Sequence, residues 1–441
     1  MTNASTSATM TPGLQRVAER AKREPVAKFH SLAHLMDEQL LTGAFRRIRK
    51  DAAVGVDGIT KEQYEQDLQR NLRSLLERMV AKRYRHQPIR RVHIPKDNGK
   101  TRPIGISTIE DKVVQNALSE VLGTIYEQDF LECSYGFRPK RSAHDAVRAL
   151  TRAVDDGKAN FILEIDLASY FDSINREKLL ELLQKRVADG SMLRLVGKCM
   201  HVGVMDGEEF SAPEVGTVQG STLSPLLGNV YLHYALDLWF TEEIKPHLRG
   251  KATLNRYADD AVFGFERQDD AENVRTVLEE RLAEFGLRLN LDKTRLLDFR
   301  APRKSQGEGK GRGTFDFLGF TWYWRRTRRG RWTVACKTRR ARLTRAIGSV
   351  YEWCRSHLHR PVKEQHAALT RRIQGHFNYF GVSGNMRSLT AVMYSARRAW
   401  FKWLNRRSQR ARLTWERFKD LLRDFPLPVP RIIVNIWKGA R

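Results

Sequence analysis

The spacing of apolar residues divides most of the chain into short helices and strands. Apolar positions recur every three or four residues over 14–50 and 64–79, which predicts a helix in each segment. The same spacing predicts further helices over 110–126, 143–154, 179–187, 223–238 and 271–285.

Shorter apolar runs between these helices predict strands. Residues 90–94 and 102–106 flank a turn-forming sequence at 96–100, a pattern typical of a β-hairpin. The other predicted strands are 161–167, 253–257, 261–265 and 295–299. The order of helices and strands from 143 to 299 predicts an α+β core around an antiparallel sheet.

Composition excludes several classes of protein. The chain has 441 residues, of which 41% are hydrophobic, so it is not disordered as a whole. Its four cysteines are widely spaced, which excludes a disulfide scaffold and argues against a zinc finger. The longest uncharged stretch, 215–236, contains a proline and several polar residues, so we expect no membrane span and a cytoplasmic location.

The positive charge of the chain is concentrated in its last third. The sequence holds 78 Lys and Arg against 51 Asp and Glu, a net charge of +27. Residues 301–441 hold 33 basic and 7 acidic residues (+26), which leaves 45 and 44 (+1) for 1–300. Eight of the nine tryptophans also lie beyond 301, beside basic runs such as Arg406-Arg407. We interpret this as a nucleic-acid surface, although a solvated basic tail with tryptophan in its core stays open.

Aspartates in apolar surroundings are the candidate catalytic groups. Asp259 and Asp260 follow Tyr257-Ala258 at the turn of a predicted hairpin, and Asp166 lies on the predicted strand 161–167. Adjacent or buried carboxylates repel each other unless a cation compensates them. Aspartates from separate strands that meet at one sheet edge can hold two Mg²⁺ ions for phosphoryl transfer. By itself, the Asp-Asp pair is more typical of a solvated turn than of a metal site.

Several sequence blocks in this order resemble the reverse transcriptases of group II introns. The most distinctive are Ser134-Tyr135-Gly136-Phe137-Arg138-Pro139, Asp166-Leu167-Ala168-Ser169-Tyr170-Phe171-Asp172 and Tyr257-Ala258-Asp259-Asp260. Other matching blocks are 55–58, 94–96, 102–106, 111–115, 219–220, 224–227, 291–294 and 317–320.

The resemblance implies a right-hand polymerase followed by an all-helical basic thumb or maturase domain. The implied divisions are an N-terminal extension with helices (1–50), fingers (51–160), a palm with the catalytic sheet (161–320) and a thumb (321–441). The sequence holds no cluster of Cys and His ligands like that of the family's HNH endonuclease domain, so we expect this domain to be missing. The activity implied is RNA-directed DNA polymerisation, together with a maturase role in splicing and mobility of the intron RNA.

The resemblance also assigns roles to individual residues. Asp166, Asp259 and Asp260 would bind two Mg²⁺ ions, with Mn²⁺ as the alternative. The residues implied in nucleotide binding are Lys96 and Arg102 at the triphosphate, Gln219 at the nucleotide, Lys293 near the pyrophosphate and Phe171 against the ribose 2′-hydroxyl. The residues implied in nucleic-acid binding are Phe317, Gly319, Arg406 and Arg407. From the residues alone, a core position for Phe171 and a surface charge for Lys293 stay open as alternatives.

One residue departs from the family pattern. Val218 stands where the family usually has proline before Gln219-Gly220. Proline would fix the φ angle of that turn, so its absence can alter how the nucleotide fits without removing a catalytic group.

The partners implied are structured RNA, an RNA template with a DNA primer, and dNTPs. Whether the chain forms a homodimer stays open. Two alternatives also stay open: a related reverse transcriptase that serves phage defence, CRISPR spacer acquisition or DNA repair, and an RNA-binding splicing factor without polymerase activity. Intact acidic and basic site residues favour an active enzyme.

Overall fold

The computed structural model describes residues 10–95, 101–206, 209–211, 220–302, 313–327, 329–407 and 413–437. The elements up to residue 211 are α1 (Pro12–Arg23), α2 (Glu38–Arg47), α3 (Lys61–Gln66), α4 (Leu68–Val80), β1 (Ile89–Pro95), β2 (Thr101–Ile106), α5 (Ile109–Asp129), α6 (Ala143–Asp155), β3 (Phe161–Ile165), α7 (Tyr170–Ser173), α8 (Arg176–Gln184), α9 (Gly190–Met200), β4 (Val204–Asp206) and β5 (Glu209–Ser211). The later elements are α10 (Ser224–Leu232), β6 (Ala252–Tyr257), β7 (Asp260–Phe265), α11 (Gln268–Glu284), β8 (Arg295–Asp298), β9 (Phe315–Phe317), β10 (Phe320–Arg326), β11 (Trp332–Thr338), α12 (Arg340–Ser356), α13 (Val362–Phe380), α14 (Met386–Leu404) and α15 (Trp415–Asp424).

An antiparallel sheet with the strand order β6-β7-β3-β8 lies at the centre of the fold, and we call it the central sheet. The predicted hairpin β1-β2 forms and is extended by β4, which runs parallel to β1, and by β5. A third sheet has the order β11-β10-β9. These sheets and helices confirm the predicted α+β class with an antiparallel sheet.

The prediction of one helix over 14–50 is wrong, because α1 and α2 are separate. Pro25 follows α1 and has no backbone N–H, so it cannot continue the helical hydrogen bonds. The linking segment pairs with a distant part of the chain instead. The N–H of Phe29 donates to the carbonyl of Arg186 at 2.8 Å, and the Arg186 guanidinium donates to three carbonyl groups within 21–27.

Two other predicted helices are interrupted. The helix predicted over 64–79 is divided at Asp67, where φ is −118° and ψ is 36°. The helix predicted over 223–238 is α-helical only through α10, and π-helical turns follow at His233–Asp237 and Trp239–Ile244. A π-helical turn rotates the following side chains relative to an α-helix, so it changes which residues face the core.

The expectation of an all-helical region from 321 is wrong for its first residues. Strands β10 and β11 occupy most of 321–338, and only then do α12 to α15 follow. Trp322, Val334 and Cys336 of these strands are fully buried and form part of the second core, which is described below. Alternate strand residues face one side of a sheet, and here the inward side is apolar.

The central sheet separates two apolar cores. Phe161, Leu163 and Phe263 face a core built with α1, α2, α5, α10 and α11. Ile162 and Val262 face a second core built with α6 and strands β9 to β11. A third core joins the helices α12 to α15 and contains Trp353 and Trp400. Some tryptophans of the basic region are therefore structural, as the alternative interpretation of its composition expected.

Arg256, in β6, is a buried charge whose five N–H groups all have acceptors. The guanidinium donates to both carboxylate oxygens of Asp237, and both side chains are 0% exposed. It also donates to Oδ1 of Asn229 at 3.0 Å, to Oγ of Ser134 at 2.8 Å and to the carbonyl of Ala258 at 3.0 Å. Because five donors are the full capacity of arginine, one side chain joins α10, the π-helical turn, the loop after α5 and the β6-β7 turn.

Replacing Asp237 with Asn should strongly destabilise the fold. It leaves the Arg256 charge buried without its counter-ion, which costs about 3–5 kcal/mol in free energy of unfolding. Urea denaturation followed by circular dichroism measures this loss. The matched control is Asp269→Asn, since Asp269 pairs with Arg267 on the surface and its loss should leave the midpoint unchanged. An Asp237→Asn midpoint equal to that of the wild type would contradict the role given to the ion pair.

His233 should make the fold sensitive to acid. Its side chain is 3% exposed, and burial lowers its pKa to about 4 although the nearby Asp237 opposes the shift. An unfolded histidine titrates near 6.5, so the unfolded chain binds the proton more tightly and stability falls as pH drops from about 6.5 to about 4. Between pH 7.5 and pH 5, His233→Gln should lose about 2 kcal/mol less than the wild type.

The measurement is the urea midpoint at both pH values. The exposed His201 supplies the control, because His201→Gln should retain the wild-type pH dependence. Equal pH dependence of the wild type and His233→Gln would show that His233 is not the acid-sensitive group.

Candidate active site

The three predicted acidic residues lie together at one edge of the central sheet. Asp166 directly follows β3, Asp260 is the first residue of β7, and Asp259 lies in the turn before it. In the antiparallel pair β3-β7, Ile165 is opposite Ala261. The next residues along, Asp166 and Asp260, therefore come side by side.

Asp260 lies close to two other carboxylates and to two basic side chains. Solvent reaches its side chain, but protein atoms crowd the carboxylate in a cleft that Asp166, Lys293 and Arg342 also line. The lost hydration raises the pKa of Asp260 to about 6, helped by the charges of Asp259 and Asp166 and opposed by those of Arg342 and Lys293. The carboxylates of the cleft thus exceed the positive charge placed near them.

Asp166 is oriented by the segment that precedes β8. Its Oδ2 accepts hydrogen bonds from Nδ2 of Asn290 at 3.1 Å and from Nζ of Lys293 at 2.9 Å. The backbone N–H of Asn290 also donates to the carbonyl of Asp166 at 2.8 Å. The Lys293 side chain is 64% exposed, so its ammonium contacts Asp166 while most of the side chain faces solvent.

The chemistry of these side chains suits a divalent cation. Among the residues that the structure describes, no three His, Cys, Asp or Glu side chains already have the geometry of a metal site. Asp166, Asp259 and Asp260 nevertheless offer the oxygen ligands that Mg²⁺ prefers, and their mutual repulsion is relieved by a cation. Their assignment to metal binding stays a prediction.

The turn that carries Asp259 is fixed from behind by the protein. Ala258 has a left-handed φ of 57°, and its carbonyl accepts from Arg256. Its N–H group lies against Gly136, where an added Cβ would stand only 2.3 Å from the Ala258 nitrogen. Only glycine fits this contact, so the block around Gly136 supports the acidic turn through direct backbone packing.

Phe171 lies on α7, close to the acidic cluster in sequence. Its ring packs edge-on against Tyr170 with centroids 5.1 Å apart, and it is half-buried. Gly228 in α10 leaves room for it, because a Cβ there would lie 3.3 Å from the Phe171 ring. The ring is therefore held in place, with part of its surface open to solvent.

The predicted nucleotide-binding residues are only partly described. Lys96 and Gln219 lie outside the described residues, while Arg102 lies in β2 opposite Ile94. Gly220, which follows Gln219, packs against β2, since an added Cβ would be 2.4 Å from the carbonyl oxygen of Gly105. The residue that follows Gln219 thus lies against the strand that contains Arg102.

Phe317 and Gly319 lie at a hairpin that lines the same cleft. Leu318 and Gly319 form the turn between β9 and β10 with φ values of 53° and 77°. The Tyr379 hydroxyl donates to the Leu318 carbonyl at 2.9 Å. Because the Phe317 ring is only 3% exposed, the predicted contact of this residue with nucleic acid would have to be made by its backbone.

Arg406 and Arg407 differ in their surroundings. Arg406 is exposed and its guanidinium lies 5.6 Å from the Trp403 ring. Arg407 is half-buried and donates to the carbonyls of His359 and Arg360 at 3.3 and 3.1 Å. Arg406 is therefore available to a phosphate, while Arg407 also holds the loop between α12 and α13.

Sequence reasoning missed several residues that build this site. They are Asn229, Asp237, Arg256, Asn290 and Arg342. One signal was present: Arg256 is a charge inside an apolar strand, the same anomaly that drew attention to Asp166. Arg342 gave no signal, because it lies among many other arginines of the basic region.

The comparisons with known proteins agree with this geometry. Residues 94–322, just over half of the chain, match the family described as "Reverse transcriptase (RNA-dependent DNA polymerase)". Protein YkfC of Escherichia coli is 32% identical over 357 residues, which are 73% of this chain and 90% of YkfC.

Proteins encoded within introns are also similar. The group II intron-encoded protein LtrA of Lactococcus lactis is 31% identical over 222 residues, 50% of this chain and 37% of LtrA. A 91 kDa protein in the cob intron of Schizosaccharomyces pombe is 29% identical over 222 residues, which cover 27% of that protein. In the described parts of the chain, no helix is both long and apolar enough to cross a bilayer. The chain belongs to the reverse transcriptase family, and its relatives include proteins encoded by group II introns.

Proposed function

We propose that the protein is an RNA-directed DNA polymerase that adds dNTPs to the 3′-hydroxyl of a primer. The observation that carries this proposal is the meeting of Asp166, Asp259 and Asp260 at one edge of the central sheet, in a chain of the reverse transcriptase family. Family membership alone is compatible with a protein that only binds RNA. A cluster of repelling carboxylates in an open cleft favours catalysis.

The acidic cluster would bind two divalent cations, Mg²⁺ or Mn²⁺. When bound, these ions supply positive charge for activation of the primer hydroxyl and for the leaving pyrophosphate. Asp166, Asp259 and Asp260 hold the ligand oxygens, and Asn290 keeps Asp166 in its orientation. Lys293 compensates Asp166 in this structure, and its exposed ammonium is free to turn toward a pyrophosphate.

The surrounding residues would position the nucleotide. Lys96, which follows β1 in the sequence, and Arg102 of β2 would bind the triphosphate, and Gln219 would contact the nucleotide. Gly220, the residue after Gln219 in the sequence, packs against β2, which supports this arrangement. Phe171, held between Tyr170 and Gly228, would collide with a ribose 2′-hydroxyl and so favour dNTPs.

We further propose the right-hand arrangement of a polymerase. The β1-β2 hairpin belongs to fingers at 51–160, the central sheet to a palm at 161–320 and the helices α12 to α15 to a thumb at 321–441, with 1–50 as an N-terminal extension. The cleft supports this division, because Arg339 and Arg342 at the start of α12 line it together with Asp166 and Asp260.

The basic helices would bind structured RNA, and by likeness to group II intron-encoded proteins we propose a maturase role. The net charge of +26 in 301–441 supports binding to phosphates rather than reading of bases. Recognition of a folded RNA would then depend on its shape and its 2′-hydroxyl groups.

Asp259→Asn should abolish primer extension without loss of nucleic-acid binding. The substitution removes a charged metal ligand, and loss of several kcal/mol of charge stabilisation should slow extension by at least about 100-fold. The assay is dNTP addition to a DNA primer on an RNA template with Mg²⁺, alongside the dissociation constant for the same duplex.

Asp269→Asn is the matched control, because Asp269 is a partly exposed aspartate in the first turn of α11, away from the acidic cluster. It should extend the primer at the wild-type rate. Normal extension by Asp259→Asn would show that the acidic site is assigned wrongly. A folded wild type that binds RNA but never extends a primer would favour a splicing factor without polymerase activity.

Arg406→Ala should weaken RNA binding and reduce its salt dependence. Each lost phosphate contact lowers the slope of log affinity against log salt by about one. Binding of a structured RNA is measured by fluorescence anisotropy from 50 to 300 mM salt (roughly the range in which such slopes are resolved).

Arg423→Ala is the control for Arg406→Ala. Arg423 is also exposed and basic, but Asp420 pairs with it at 2.7 Å and offsets its charge. The slope should change less than for Arg406→Ala. Equal slopes for the wild type and Arg406→Ala would remove Arg406 from the RNA-binding surface. Arg407 is a poor choice for this test, since its removal also frees the α12-α13 loop.

A further inference from the structure

Phe137 combines an exposed aromatic ring with an unfavourable backbone conformation. The side chain is 52% exposed, and its φ of 57° lies in the left-handed region. Bulky residues rarely adopt this conformation, and they keep it only where the surrounding structure enforces it. Such residues cluster at functional sites, so the observation calls for an explanation.

The neighbours of Phe137 hold it in this conformation. Nδ2 of the buried Asn229 donates to the carbonyl of Gly136 at 2.7 Å, and Gly136 packs directly on Ala258. On the other side, the guanidinium of Arg138 is buried and donates to Glu127 and to the carbonyls of Leu131 and Ser134. The backbone is therefore fixed on both sides of an exposed ring.

The ring lies beside the turn that carries Asp259. Its centroid is 6.3 Å from that of Tyr257, at an angle of 44° between the ring planes. Tyr257 is the last residue of β6, immediately before Ala258 and Asp259. Phe137 belongs to none of the apolar cores of the described structure, so burial does not explain its position.

We propose that Phe137 is a binding residue for the primer–template duplex, with its ring packed on the sugar and base surface next to the reacting end of the primer. This inference rests on the proposed polymerase function. An aromatic face binds any base or sugar without reading sequence, as a polymerase requires. A ring carries no charge and releases no counterion, so its contribution to affinity is independent of salt.

The test uses substitutions that separate the ring from the backbone. Phe137→Asn removes the ring, and asparagine accepts the left-handed conformation well, so the variant should be as stable as the wild type or more stable. Its affinity for an RNA–DNA primer–template should fall about tenfold at every salt concentration, with the salt slope unchanged. Phe137→Trp keeps an aromatic face and should retain near wild-type affinity.

Binding is measured by fluorescence anisotropy without dNTPs, and stability by thermal denaturation. Wild-type affinity in Phe137→Asn would overturn the proposal, as would a reduced salt slope or an equal loss in Phe137→Trp. If Phe137→Asn fails to fold, Phe137→Gly serves the same purpose, since glycine also adopts positive φ freely. Primer extension by the wild type is scored separately, so failure of catalysis with intact duplex binding would reject the polymerase and leave the Phe137 contact to be judged by affinity.

Discussion

The buried ion pair between Arg256 and Asp237 determines where the acidic turn can lie. A guanidinium without solvent is tolerated only when each of its N–H groups has an acceptor, and here the acceptors come from four separate segments. Moving any one of these segments would leave a buried donor unpaired. The acceptor on Ala258 is the backbone of the turn before Asp259, so the requirement that satisfies Arg256 also places the carboxylates. The pair thus contributes to the uniqueness of the arrangement more than to its net stability.

The cleft in front of that turn has the opposite property, since its charges are left incompletely compensated. Burial and two neighbouring carboxylates raise the pKa of Asp260, while Lys293 and Arg342 offset them only in part. The protein therefore combines full satisfaction of charge behind the turn with a deficit of positive charge in front of it. A rigid support keeps the repelling carboxylates from moving apart, as the proposed cation site would require before the cations bind.

The sequence predicted what depends on local pattern. Short apolar runs in 161–167 and 261–265 predicted the strands, and their pairing brought Asp166 next to Asp260. The errors occur where distant contacts override local preference. The segment between α1 and α2 is held by hydrogen bonds to Arg186, which lies more than 150 residues away in sequence. The spacing of apolar residues within 14–50 cannot reveal such a distant contact. The strands in 321–338 were not predicted, because the resemblance implied a helical thumb from residue 321. Likewise, Arg256 was visible as a charge in an apolar strand, but its partners were not.

The basic region shows why charge alone overstates a binding surface. Arg407 donates to two carbonyl groups, and Arg339 pairs with Asp316 at 3.1 Å, so part of the excess charge holds the fold together. Trp353 and Trp400 fill the core between the helices rather than facing solvent. The arginines that can bind a polyanion are those that do not stabilise the fold in this way. Arg342, in the first turn of α12, and Arg406, after α14, are examples. Arg342 lies close enough to Asp260 for their charges to interact. The helices would therefore bring phosphate-binding charge to the edge of the acidic cleft. In the proposed function, duplex binding and formation of the site would share one electrostatic arrangement. The basic helices would attract the nucleic-acid backbone, and the acidic cluster would attract the cations that the reacting phosphates require.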